Sequence, residues 1–124
     1  MKIMESAENY LETILMLKAK NGSVRSIDIA HELEFSKPSV SVAMKRLREN
    51  GHITVEEGGL IELTEEGKKV AESIYERHVV LTDALTAIGV DPEVAAEDAC
   101  RIEHYISQET FDKVKEHFHK RKDG

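Results

Sequence analysis

The stretch from Ser26 to Leu63 limits the possible folds most, because its hydrophobic period changes once, at a glycine. "SIDIAHELEF" spaces Ile29, Ala30 and Leu33 along one face of a short helix, with Ser26 as the expected N-cap. "SKPSVSVAMKRLRENG" follows almost at once. Ser36 is placed to cap it, Pro38 falls in the first turn where a missing N–H is tolerated, and Gly51 stops it. Val40, Ala43, Met44 and Leu47 form its expected buried stripe. Beyond Gly51, "HITVEEGGLIEL" sets β-branched Ile53, Thr54 and Val55 against Leu60 to Leu63 across Glu57-Gly58-Gly59, a hairpin pattern. Upstream, "ENYLETILMLKAKNG" carries Tyr10, Leu11, Ile14, Leu15 and Leu17 at helical spacing and ends at Asn21-Gly22. Three helices and a hairpin at these intervals predict a winged helix-turn-helix.

The second half reads as helical throughout. Thr64 is the expected cap of a long segment with apolar positions Val70, Ile74, Leu81, Leu85 and Ile88, closed by Gly89. Another helix starts near Pro92, and a third, "SQETFDKVKEHF", starts at Ser107. The expected fold is therefore mainly α, with residues 1–64 as the winged-helix domain and 65–124 as a helical domain. We find no internal repeat and no linker-like stretch, and no further domain is expected within these 124 residues.

Composition excludes several classes. The chain has 124 residues, 40% hydrophobic and 33% charged, and its apolar runs are too short for a membrane span of roughly 20 residues. The opening "MKIMESAENY" has no apolar run of signal-peptide length. A single cysteine cannot close an intramolecular disulfide, so a reducing cytoplasm is expected. The net charge of −7 argues against indiscriminate coating of nucleic acid, although a local basic face would still permit a DNA reader.

Such a face exists on the third helix, where Lys37, Lys45, Arg46 and Arg48 oppose only Glu49. Ser36, Ser39 and Ser41 are small donors for phosphates or base edges, and Pro38 offers apolar contact to a thymine methyl. Arg25, at the start of the second helix, can anchor a phosphate. The hairpin, with Glu56, Glu57 and Glu62, is a poor phosphate ligand. A helix-turn-helix used only for protein contacts is the plainer alternative.

A second chemistry centres on "CRIEHYIS". At about 100° per residue, Cys100, Glu103 and His104 share one face of a helix, away from the stripe Ala95, Ala99, Ile102 and Ile106. His78 lies inside the apolar stripe of the long helix, where it needs a hydrogen bond, an opposite charge or a metal. Asn9 and Glu12 lie one turn apart on the first helix. Sulfur, two imidazoles, carboxylates and an amide suit a first-row divalent ion. The plainer readings are a satisfied core histidine and a buried thiol beside a surface Glu-His pair. Catalysis by a Cys100–His104 pair is disfavoured, because no oxyanion hole or phosphate loop accompanies it. His117 and His119 read as solvated.

Together these segments resemble the metal-dependent repressors of the diphtheria toxin repressor type, manganese transport regulators included. The resemblance runs from "AENYLETI" through "SIDIAHEL", "SKPSVSVAMKRL" and "LTEEGKKVAESIYERH" to "DACRIEHYIS". It implies a cytoplasmic homodimer that binds palindromic operator DNA. A divalent metal would couple the DNA-binding domain to a helical dimerisation domain and repress metal-uptake genes. By position, Asn9, Cys100, Glu103 and His104 match the family's primary site, and Glu12 and His78 match the second site of the manganese regulators. Cys100 resembles the iron branch and Glu12 the manganese branch, while Asn9 matches neither the methionine of the one nor the aspartate of the other. Thr82 and Ala96 stand at ligand positions of the iron branch's ancillary site, and the SH3-like domain of longer members is not matched. The expected activators are Fe(II) first and Mn(II) second, with other first-row ions able to bind in vitro. A winged-helix regulator not controlled by metal is the alternative, and a metal-buffering or hydrolytic protein is the rival of another class.

Overall fold

A computed structural model describes residues 5–123, with side chains over residues 6–118. Its elements are α1 (Glu5–Asn21), α2 (Ser26–Leu33), α3 (Lys37–Glu49), β1 (Ile53–Val55), β2 (Ile61–Leu63), α4 (Glu65–Ala87), α5 (Pro92–Ile102) and α6 (Gln108–Asp123). The chain divides into two compact units, Met1–Ser73 and Ile74–Gly124, with the division falling inside α4.

The N-terminal unit is the expected winged helix. Leu11, Ile14, Val24, Ile29, Val40, Ile53 and Ile61 are almost wholly buried in one core, joined by Tyr10, Leu17, Ala30, Met44 and Leu47. Complete burial of one such aliphatic side chain contributes about 1.5–3 kcal/mol. Burial also raises the Tyr10 phenol above its usual value, and Phe35 meets the Tyr10 ring edge-on at 6.0 Å.

Local chemistry explains the boundaries. Ser36 caps α3, its Oγ accepting from Ser39 N at 3.3 Å, and Pro38 sits in the first turn as expected. The cap of α2 differs from expectation: Arg25, not Ser26, occupies it. Arg25 has no side-chain acceptor, but the Asp28 carboxylate accepts from the Arg25 backbone N–H at 2.9 Å. That is the acidic half of a capping box, and it frees Ser26 to become the first helical residue. Glu34 then takes a left-handed conformation at φ 57, and the Phe35 N–H donates to the Ala30 carbonyl, making the short link into α3.

In the wing, Ile53 pairs with Leu63, Thr54 with Glu62 and Val55 with Ile61, in antiparallel register. Gly58 and Gly59 both have positive φ, 92 and 87, which is what places two glycines at the turn. Three contacts tie the wing to its unit. The Ile61 N–H donates to the Val24 carbonyl, Lys18 pairs with Glu62, and Arg25 Nη1 donates to the Gly58 carbonyl. Thr64 caps α4 as expected, accepting from Gly67 N at 3.1 Å while its hydroxyl donates to the Gly51 carbonyl. A Cβ on Gly67 would lie 1.9 Å from the His52 carbonyl oxygen, so only glycine lets α4 start this close to the wing.

In the C-terminal unit, Ile74, Val80, Leu81, Ala95, Ala99 and Phe111 are buried. Asp91 caps α5 through Glu93 N, and Ser107 accepts from Thr110 N at the start of α6. Two expectations fail here. Ile88, read as the end of the apolar stripe of α4, is 72% exposed, because α4 stops at Ala87 and the chain turns away at Gly89. The helix bearing "CRIEH" also stops early, at Ile102, leaving Glu103 to His104 in the turn that follows. His117 is exposed as expected, and the side chain of His119 lies outside the described residues.

Candidate metal centre and nucleic-acid surface

Within the C-terminal unit, His78 of α4 and the Glu103–His104 turn come together. His78 Nδ1 lies 2.9 Å from Glu103 Oε2, and His104 Nε2 lies 3.4 Å from Glu103 Oε1. The Glu103 side chain is 0% exposed and that of His104 is 2% exposed, whereas His78 keeps 26%. With the carboxylate ionised, Nδ1 of His78 carries the proton of the pair, and in a neutral ring Nε2 then bears the lone pair. Glu103 Oε1 accepts no hydrogen bond among the described residues.

A carboxylate oxygen withdrawn from water without a hydrogen bond is costly unless a cation compensates it. A divalent ion beside that oxygen would do so, and one carboxylate between two imidazoles is a donor set that first-row ions accept. The residues present therefore fit a metal.

The other expected ligands lie on α5 and α1. Cys100 is exposed on α5, whereas Glu103 is buried. Glu103, the C-cap of α5, keeps a right-handed helical conformation, and its N–H donates to the Ala99 carbonyl at 2.9 Å. In the N-terminal unit, Asn9 is half-buried on α1, and its backbone carbonyl accepts from Thr13 Oγ1 at 2.8 Å. Glu12, one turn on, is only 5% exposed, an unusual position for a carboxylate.

The nucleic-acid candidates behave in the opposite way. Ser36, Lys37, Pro38, Ser39, Ser41, Lys45 and Arg46 are all exposed, as is Arg48. Beside them an open cleft of about 350 Å³ is lined by Ser26, Ile27, Lys37 and Ser41. Ser36 Oγ donates to Ser39 Oγ at 2.8 Å, so these two hydroxyls act as a unit at the N-terminus of α3. Arg25 is exposed, yet one of its donors is taken by Gly58. Arg77 was missed from the sequence. It precedes His78, and its guanidinium reaches the carbonyls of the turn that holds Glu103. No spacing rule would have singled it out.

A helix-turn-helix with uncovered cations, carried on one chain with a buried acid held between imidazoles, is the architecture of a regulator whose grip on DNA answers to a metal ion. Comparisons with known proteins agree. Residues 2–59 match "Iron dependent repressor, N-terminal DNA binding domain", and residues 64–123 match "Iron dependent repressor, metal binding and dimerisation domain". Transcriptional regulator MntR of Salmonella typhimurium is 39% identical over 108 residues, covering 87% of this chain and 69% of the relative. HTH-type transcriptional regulator MntR of Bacillus subtilis is 34% identical over 109 residues, covering 88% and 77%. The crystal structure of T. acidophilum IdeR superposes with a TM-score of 0.79 at 26% identity, over 95% of this chain and 55% of that one. The chain belongs to the iron-dependent repressor family, the metal-dependent transcriptional repressors of the diphtheria toxin repressor and MntR type.

Proposed function

We propose that this chain represses metal-uptake genes in the cytoplasm, binding palindromic operator DNA as a homodimer when Fe(II) or, at higher concentration, Mn(II) is bound. Its role is binding rather than catalysis. The observation that carries the reading is the buried Glu103 carboxylate with His78 and His104 at its two oxygens. Asn9, Glu12 and Cys100 complete the proposed ligand set, supported by position within the family and, for Glu12, by the burial of its carboxylate. Among the described residues no helix is long and apolar enough to cross a membrane.

On the DNA side, Ser36, Lys37, Pro38, Ser39, Ser41, Lys45 and Arg46 make the proposed contacts, and Arg25 adds a phosphate contact through donors not engaged by Gly58. A guanidinium has five, so one bond leaves it able to serve. Two recognition helices in a dimer would reach half-sites about 34–36 Å apart, or a multiple of that distance. An ion that binds one arrangement of the protein better than others shifts the population toward it, and a coupling of about 1–3 kcal/mol changes DNA affinity roughly 5- to 150-fold.

The preference for iron stands on Cys100 entering the ligand set, since a thiolate is softer than a carboxylate. Mn(II) is the second reading, favoured by the two buried carboxylates, Glu12 and Glu103, which are harder donors. The name MntR of the curated relatives keeps manganese beside iron. The test is anaerobic operator binding with Fe(II), Mn(II), Zn(II) and no metal, in the native chain and in Cys100→Glu. Activation by Fe(II) at the lower midpoint, with a shift toward Mn(II) in the variant, is expected. An unchanged Fe/Mn ratio would remove Cys100 as the selector, and operator binding indifferent to every ion would defeat the reading itself.

A further inference from the structure

We propose that Arg77 is a positioning residue of the metal centre, fixing the Glu103 turn against α4 before any ion arrives. The proposal rests on the reading of His78, Glu103 and His104 as ligands. Arg77 Nη1 donates to the carbonyls of Glu103 at 3.1 Å and Ile106 at 2.8 Å, and Nη2 donates to Gln108 Oε1 at 2.9 Å. The guanidinium carbon lies 5.5 Å from the centroid of the buried Phe111 ring, a cation–π distance. Gln108 is itself held, its amide donating to Asp112 Oδ1 at 2.8 Å.

These contacts answer a specific need. α5 ends at Ile102, whose carbonyl accepts from the Tyr105 and Ile106 N–H groups, so the carbonyls left for an outside donor are those of the turn that follows. A cation placed there satisfies them and complements the helix dipole. Only the planar fork of arginine can serve two carbonyls and an amide while stacking on a ring; a lysine supplies a point charge.

Glu103 is thereby gripped at both ends. His78 holds its carboxylate and Arg77 holds its carbonyl, from consecutive residues of α4. Rotation of the 103–106 turn, which would swing the carboxylate away from His78, must break both. The buried Nε–H of Arg77 makes no hydrogen bond among the described residues, so the guanidinium is held by its Nη groups and the Phe111 ring. Outer partners of this kind orient ligands, and their loss typically costs about 10–100-fold in metal affinity.

The test measures Co(II) binding to the full-length metal-free protein by calorimetry and by its visible ligand-field spectrum. Arg77→Met and Arg77→Lys are compared with Glu103→Gln and His78→Ala. Arg77→Met is expected to weaken Co(II) binding about 10–100-fold and to alter the ligand-field bands, with partial recovery in Arg77→Lys. A folded Arg77→Met with native affinity and spectrum would overturn the role of Arg77. If Arg77→Met does not fold, Arg77→Lys decides: a native spectrum and affinity overturn the proposal, and a shifted spectrum in a folded protein supports it. Should Glu103→Gln and His78→Ala also leave Co(II) binding intact, the metal-site reading falls, not merely the part played by Arg77.

Discussion

The recognition helix and the turn after α5 keep their candidate functional residues in opposite states. On α3 every candidate DNA contact is exposed, and the frame beneath it, Val40, Met44 and Leu47, is buried and apolar. At the turn, Glu103 and His104 are themselves the buried groups, and the surrounding framework is polar: an imidazole, an arginine and backbone carbonyls. A reader of DNA must meet a large partner, so its chemistry stays outside. A sensor of a small ion gains selectivity by withdrawing its donors from water, where each must then be matched. The first arrangement tolerates substitution residue by residue, while the second is coupled.

Breaking the buried side should have the largest effect. Glu103→Gln is expected to abolish the metal-dependent rise in melting temperature. In free-energy terms that rise is worth about 2.7 kcal/mol at a metal concentration one hundred times Kd. The salt dependence of the residual metal-free DNA binding should stay as it is. A variant that still gains thermal stability with Fe(II) and Mn(II) would remove the carboxylate from the sensor.

Breaking the exposed side should cost less and spread less. Arg46→Ala is expected to weaken binding to all duplexes by about 1.5 kcal/mol, as loss of one charged hydrogen bond does. The slope of log affinity against log salt should fall by about 1. Its thermal response to metal should match the native protein. If affinity and slope were both unchanged, α3 would not be the DNA-facing helix.

The smallest effect sharpens the contrast at Ser36, which is both a helix cap and a proposed DNA contact. Ser36→Ala removes the α3 cap and its link to Ser39, and should lower stability by about 0.5–1 kcal/mol in a urea titration. Metal affinity should not follow. A drop in metal affinity with an unchanged urea midpoint would show that the exposed and buried sites are not separable in the way argued above.

The sequence revealed the exposed region more fully than the buried one, for a physical reason. Winged-helix features are local: the Ser36 cap, Pro38 in the first turn, the glycine pair of the hairpin and the apolar spacing of α1 to α3 all act within a few residues. Even there, the α2 cap was misplaced by one position, because Asp28 supplies from inside the helix what a capping side chain would supply from outside. The end of α5 was not legible at all. Ile102 and Ile106 continue the helical period, and no glycine or proline interrupts them. The carbonyls of the turn that follows are bound from α4, by Arg77, a tertiary contact with no local sequence signal. Cys100, Glu103 and His104 could be picked out by residue type, but not the burial that separates the last two from the first.

The ties that hold the wing bear on how the protein spends its time on the chromosome. Lys18 and Arg25 are basic residues already engaged internally, by Glu62 and by the Gly58 carbonyl, within a chain of net charge −7. Lys18, paired with a carboxylate, displaces fewer condensed counterions when a duplex arrives, Arg25, bonded to a neutral carbonyl, keeps its charge for a phosphate, and the acidic wing displaces none. The entropy released on contact with arbitrary DNA is correspondingly small. A weaker grip on arbitrary DNA leaves more of such a protein available for a specific site.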